Sequence, residues 1–176
     1  MDKTYIIDPN KEYNSRQSIA FEGEYTYIIN NKEERIRQVN RARSCFEQYL
    51  IQENTLENVV ENGEVTGFRV GLRLNWYRSF AITLIRRIEL MIDGKLIPRE
   101  SITFQVEGSE NKYRLDDIGE EQAFEYWYLN KIGFVTVDLP GGLSKGVHEV
   151  EALLEMFVTY HNYPDMSYMK KIMRIE

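Results

Sequence analysis

Between residues 66 and 78 the chain reads TGFRVGLRLNWYR, a two-residue alternation of apolar and polar positions. Phe68, Val70, Leu72, Leu74 and Trp76 share one face of an extended strand, and Arg69, Gly71, Arg73 and Asn75 share the other. That pattern predicts a strand with one face in a core. Further along, Ile88, Leu90 and Ile92, then Ile102, Phe104 and Val106, then Val135, Val137 and Leu139 alternate in the same way. His148, Val150, Ala152, Leu154, Met156, Val158 and Tyr160 predict one more long strand with a single apolar face.

The punctuation between these stretches is turn chemistry. Asn62-Gly63 and Asp93-Gly94 each sit between apolar runs, and both dipeptides accept the positive φ that a two-residue hairpin demands. Pro140-Gly141-Gly142-Leu143 reads as a turn between strands, because it has neither phosphate-loop spacing nor a helix after it. No long amphipathic helix is needed anywhere. The expected fold is all-β, an antiparallel β-sandwich over residues 45–165, preceded by an N-terminal extension (1–44) and followed by a C-terminal tail (166–176). Within the extension, residues 19–29 suggest a strand or hairpin and residues 33–45 a short helix.

Composition fits one globular domain: 176 residues, 43% apolar, 12% aromatic. The formal charge of −6 gives no general attraction to nucleic acid or anionic membrane. Residues 32–43 stand apart, with Lys32, Arg35, Arg37, Arg41 and Arg43 against Glu33 and Glu34, a net +3 in a chain whose remainder is therefore −9. A solvated helix face, a docking arm and a phosphate contact all fit that run. Cys45 is the only cysteine, so neither a disulfide within the chain nor a thiolate metal cluster is expected. There is no apolar run after Met1 and no stretch of roughly 18 apolar residues, so a cytoplasmic location without membrane insertion is expected.

Candidate chemistry is sparse. The two histidines, His148 and His161, have no metal-ligand spacing. His148 has core-face parity and reads either as a structural histidine or as a proton-transfer group. Carboxylates are plentiful, but sequence fixes no pair at glycosidase separation. The aromatic clusters are 124–128 (FEYWY) and 160–164 (YHNYP), together with Asn75, Trp76, Tyr77 and Arg78 at the end of the first strand. Such rings serve a core, an interface or a stacking platform equally.

Taken in order, Gly67-Phe68, Asn75-Trp76-Tyr77-Arg78-Ser79, Ile92-Asp93-Gly94, Trp127, Pro140-Gly141-Gly142-Leu143, Gly146-Val147-His148-Glu149-Val150 and Tyr160 resemble the small β subunit of bacterial C-glycoside deglycosidases. The resemblance spans residues 46–164. It departs where Trp76 stands in place of a tyrosine, and in residues 1–44, which precede the family's usual start. The resemblance implies a heteromeric lyase that cleaves the carbon–carbon bond between a 3-keto sugar and an aromatic, flavonoid-type aglycone. It also implies an α subunit of TIM-barrel, sugar isomerase-like type that carries a divalent metal, manganese, and the acid and base groups. This chain would then hold no cofactor and no catalytic residue. Asn75, Trp76, Tyr77 and Arg78, supported by His148 and Tyr160, would meet the partner or the substrate.

Two other classes stay open. A stand-alone carbohydrate-binding module would stack sugars on Trp76, Tyr77 and Trp127, and an independent hydrolase or isomerase would use His148 with a carboxylate.

Overall fold

Two antiparallel sheets face each other across one apolar core. The computed structural model describes residues 47–157 and 164–176, with the backbone of two short strands before them, β1 (Lys3–Tyr5) and β2 (Tyr25–Tyr27). The first sheet holds β3 (Glu57–Glu61), β4 (Glu64–Leu72), β11 (Gly133–Asp138), β8 (Ile102–Val106) and β9 (Tyr113–Arg114), in that spatial order. The second holds β13 (Pro164–Ile175), β12 (Gly146–Phe157), β6 (Ile85–Ile92) and β7 (Lys95–Leu96). A two-stranded piece, β5 (Phe80–Ala81) with β10 (Tyr126–Trp127), closes one end. The fold is all-β, as the periodicity predicts, and among the described residues the only helical turns are short 3₁₀ segments.

The inner faces follow the sequence stripes. In the first sheet Phe68, Val70 and Leu72 pair with Val137, Val135 and Gly133, which pair in turn with Ile102, Phe104 and Val106. In the second, Val150, Ala152 and Leu154 pair with Ile92, Leu90 and Ile88. These side chains form one buried cluster, and at about 25 cal/mol per Å² each large one contributes roughly 1.5–3 kcal/mol. Both hairpins form at the expected dipeptides. Asn62 and Gly63 have φ of +53° and +84°, and Asp93 and Gly94 +50° and +77°, so each pair has the two positive values of the turn whose twist matches the strands.

The structure departs from the sequence expectations in three places. Residues 166–176, expected as a tail, lie almost wholly in β13, which pairs with β12 along its whole length from Gly146↔Ile175 to Phe157↔Pro164. The physical reason is that β12 is buried and needs hydrogen-bond partners on both edges. The β4 strand stops at Leu72, and Leu74 and Trp76 continue the stripe from a loop. In the extension, β2 falls within the expected strand segment 19–29 but pairs in parallel with β1, and the helix expected at 33–45 lies outside the described residues. Among the described residues, no helix is long and apolar enough to cross a membrane.

Gly133 is among the glycines fixed by packing. A Cβ on Gly133 would stand 2.5 Å from Phe104 Cε2 and 2.7 Å from Trp127 Cζ2, between two rings whose centroids are 5.1 Å apart. Gly133→Ala should therefore lower the unfolding free energy by about 1–3 kcal/mol, read as a shift of the urea midpoint. An unchanged midpoint would show that the rings yield at no cost.

Candidate functional site

The loop that follows β4 carries the residues singled out from sequence. Segment 50–52 anchors its start: the Arg73 N–H donates to the Leu50 carbonyl at 2.7 Å, and the Gln52 N–H donates to the Gly71 carbonyl at 2.9 Å. The Arg73 guanidinium then donates to Gln52 Oε1 at 2.7 Å. Asn75 is fully buried, with its amide nitrogen 3.5 Å from the Asp165 carbonyl at the start of β13. Trp76 is half-buried against the core, with its ring centroid 5.3 Å from that of Tyr77. Tyr77 is 56% exposed. The Arg78 guanidinium lies 5.9 Å from the centroid of the Phe80 ring.

A second loop completes this end of the sandwich. Ser79 Oγ accepts the Leu129 N–H at 2.9 Å, tying 128–131 to 73–79. Tyr126 and Tyr128 stack 6.2 Å apart at 34°. Glu125 is held by three donors, Ser109 Oγ at 3.0 Å, the Asn111 amide at 3.3 Å and the Tyr113 hydroxyl at 2.5 Å. The last bond raises the pKa of the Tyr113 hydroxyl. This anchoring fixes a loop on which Phe124 stands 92% exposed. Tyr49 is also exposed and, with Trp76, Tyr77, Leu129 and Arg73, lines a cavity of about 630 Å³. Tyr128, next to Leu129 in the chain, lines a second depression together with Phe124 and Tyr126.

The structure gathers Asn75, Trp76, Tyr77 and Arg78 but not His148. His148 pairs with Met173, whereas Asp165 beside Asn75 pairs with Met156. Eight residues of β12 separate the two positions, roughly 27 Å of extended strand. Tyr160 lies outside the described residues. Trp127, a member of the stacking face expected for a sugar-binding module, is buried, and its indole N–H donates to the Lys131 carbonyl at 3.0 Å. Tyr49 and Leu129 carried no sequence signal, since each is one apolar residue in an irregular stretch.

At the far end of β12, His148 is 8% exposed and held from both sides. Nδ1 lies 2.7 Å from Asp93 Oδ2 and Nε2 lies 2.9 Å from the Ser144 carbonyl. Both neighbours are acceptors, so the ring is best satisfied as an imidazolium donating twice. The Ser144 carbonyl first, then Asp93, raise the His148 pKa. The bond from His148 and the Glu149 N–H lower that of Asp93. This pair fastens the Asp93-Gly94 turn to the start of β12 and leaves no ring nitrogen for proton transfer. Among the described residues no three His, Cys, Asp or Glu side chains gather as metal ligands.

Residues 46–160 match the model of the C-glycoside deglycosidase beta subunit family. The chain is 32% identical over 108 residues to the C-glycoside deglycosidase beta subunit of Eubacterium cellulosolvens, covering 60% of this chain and 71% of that one. It is 31% identical over 91 residues to the protein of the same name from Microbacterium trichothecenolyticum, covering 52% and 66%. A third of that name, from Arthrobacter globiformis, is 26% identical over 111 residues, covering 62% and 82%.

The sign of the pH dependence follows from the two shifts. His148 has a raised pKa, so its stabilisation is complete below the ordinary value of 6.5 and is lost as pH rises through the folded value. Asp93 has a lowered pKa, so its stabilisation is complete above 3.8 and is lost as pH falls through the folded value. His148→Leu should cost about 1.5–3 kcal/mol near pH 6 and remove the alkaline slope. Denaturant titrations across pH 5–9 check this, and a variant that keeps the wild-type slope would exonerate His148.

Proposed function

The chain belongs to the C-glycoside deglycosidase beta subunit family, and we propose that it is the accessory subunit of a heteromeric lyase acting on C-glycosides. In this reading the partner is an α subunit of TIM-barrel, sugar isomerase-like type, which holds manganese and the acid and base groups. The substrate is a sugar oxidised to its 3-keto form and joined through C1 to an aromatic carbon. The ketone acidifies the C2 proton, a base removes it, and the C1=C2 double bond forms as the bond to the aryl carbon breaks. The electron pair of that bond stays on the aryl carbon, which takes up a proton. No step is routed through this chain, whose described residues offer neither a metal ligand set nor an activated nucleophile. Its work is to dock on the partner and to cover the mouth of the active site, excluding water from the elimination.

What supports the docking role is the group of exposed rings at one end of the sandwich, Tyr49, Tyr77, Tyr128 and Phe124 with Leu129. The two loops that carry most of it are tied together through Ser79 and anchored through Glu125. Preorganised aromatic anchors contribute most of the binding energy in protein interfaces. An obligate contact of this kind buries more than roughly 1,200 Å² in total.

Co-expression of the chain with the sugar isomerase-like α subunit tests this. Tyr77→Ala combined with Leu129→Ala, and separately Arg78→Ala, should weaken assembly or complex turnover at least tenfold, about 1.4 kcal/mol. Stability of the isolated chain should change by less than about 0.5 kcal/mol, as at exposed positions generally. Sedimentation of the mixed subunits reads the first effect and thermal unfolding the second. Variants that assemble and turn over like wild type would remove this end of the sandwich from the interface.

A further inference from the structure

The outer edge of β13 is the longest open sheet edge among the described residues. β7 and β9, the outer strands at two other edges, have two residues each, and β3 carries a register shift between Val59 and Val60. Short strands and bulges of that kind keep other chains from pairing. β13 has neither device: it is 12 residues long, pairs with β12 without a shift, and has no described strand on its other side. Glu149 turns its N–H and its carbonyl toward Asp93. By alternation Val150 turns its own toward Lys171, and Lys170, Ile172, Arg174 and Glu176 turn theirs to the open edge.

Only part of that edge is accessible. In its first half the Ile51 N–H lies 3.3 Å from Met169 Sδ, and Asp165, Met166 and Ser167 are buried. From 170 to 176 exposure alternates instead, and Lys170, Ile172, Arg174 and Glu176 stand exposed. Ile172, at 65%, is the most exposed large apolar side chain of the second sheet. Beside this stretch lies a groove of about 1030 Å³, walled by Glu53, Leu56 and Asn58 on one side and by Lys171, Met173 and Ile175 on the other. There is room for a further strand along 170–176.

The charges of the stretch select the occupant. Two copies of it can run antiparallel about a two-fold axis, and the registers that pair most of it put Ile172, Met173 or Arg174 on that axis. With Ile172 there, Lys170 faces Arg174; with Arg174 there, Arg174 faces itself. With Met173 there, all of 170–176 pairs: Lys170 faces Glu176 of the second copy, Lys171 faces Ile175, Ile172 faces the stem of Arg174, and Met173 faces itself. That register alone opposes unlike charges, and it leaves like charges only on diagonals roughly 7–8 Å apart. We propose that this edge joins two copies of the chain, with β13 of each pairing antiparallel about Met173 and the two second sheets becoming one. Asn75 reaches Asp165 at the other end of β13, so self-association here leaves the ring-bearing loops open and is independent of an α subunit.

Sedimentation of the full-length chain alone, without an α subunit, provides the test. The wild type should form dimers at about 100 μM. Glu176→Lys sets a like charge against Lys170 at both ends of the joint and should weaken dimerisation at least fivefold. A cross-link reads the register. With Cys45→Ser as background, Met173→Cys should form a disulfide-linked dimer in air, because opposed residues of a non-hydrogen-bonded pair have Cα atoms about 4.5 Å apart. Ile175→Cys, which faces Lys171 instead, should link at least tenfold more slowly. A wild type that is monomeric at that concentration would overturn the proposal, as would dimerisation that Glu176→Lys changes less than fivefold, or equal cross-linking by the two cysteines. An edge that fills only when an α subunit is added would belong to that subunit and equally overturn it.

Discussion

The burial of β12 on both faces is the constraint on which the rest of this structure depends. Its inner face, Val150, Ala152, Leu154 and Met156, lies in the common core, and its outer face places Glu151 and Glu155 out of water. A strand so enclosed cannot leave backbone groups to solvent, so it must be flanked on both sides. β6 and β13 supply those edges. Buried carboxylates also demand partners. Tyr168 donates to Glu151, and Arg87 reaches both Glu155 at 3.0 Å and Glu89 at 3.3 Å. Burial still raises the Glu155 pKa against the pull of Arg87. Such an arrangement contributes little net stability but punishes loss of any one member, which favours a single register.

A second sheet fixed in register makes the sandwich ends into rigid mounts. The 73–79 loop is clamped between segment 50–52 and Asp165, and the 124–131 loop hangs from it through Ser79. Exposed rings on anchored loops lose little conformational freedom on contact, so more of their burial energy remains as affinity. By contrast, the outer face of the first sheet is polar, with Arg69 lying 4.5 Å over Phe134 and paired to Glu57.

Much of the inner architecture was legible in the sequence because the stripes of β4, β6, β8, β11 and β12 obey period two and the two tight hairpins, β3–β4 and β6–β7, turn at Asn-Gly and Asp-Gly. The outer face of β12 was not. Glu-x-Leu-x-Glu reads as a solvated face, and only contact with something outside the strand makes it buried. β13 escaped for a related reason: Met166, Tyr168, Met169, Lys170 and Lys171 carry no clean alternation, since its inward positions include the polar Asp165, Ser167 and Lys171. In the site, residue type singled out Asn75, Trp76, Tyr77 and Arg78 together, and only the structure separates the exposed Tyr77 and Arg78 from the buried Asn75 and half-buried Trp76. It could not separate Trp127, which fills the core, from Tyr126 and Tyr128 on either side. For His148 the parity was right, but parity does not tell which end of a strand a residue occupies.

The His148 and Asp93 staple and the ring-bearing loops sit at opposite ends of β12, roughly 27 Å apart, beyond the Debye length of about 8 Å at physiological ionic strength. The ionisation of one end is therefore electrostatically invisible at the other. A structural histidine near its titration range beside a docking surface would make assembly follow pH. Placed a strand's length away, it ties the Asp93-Gly94 turn to the start of β12 without coupling to the ring-bearing loops. The ionisable neighbours of the exposed rings are instead arginines, lysines and carboxylates, among them Arg73, Lys171 and Glu125, and none of the described residues beside them is a histidine.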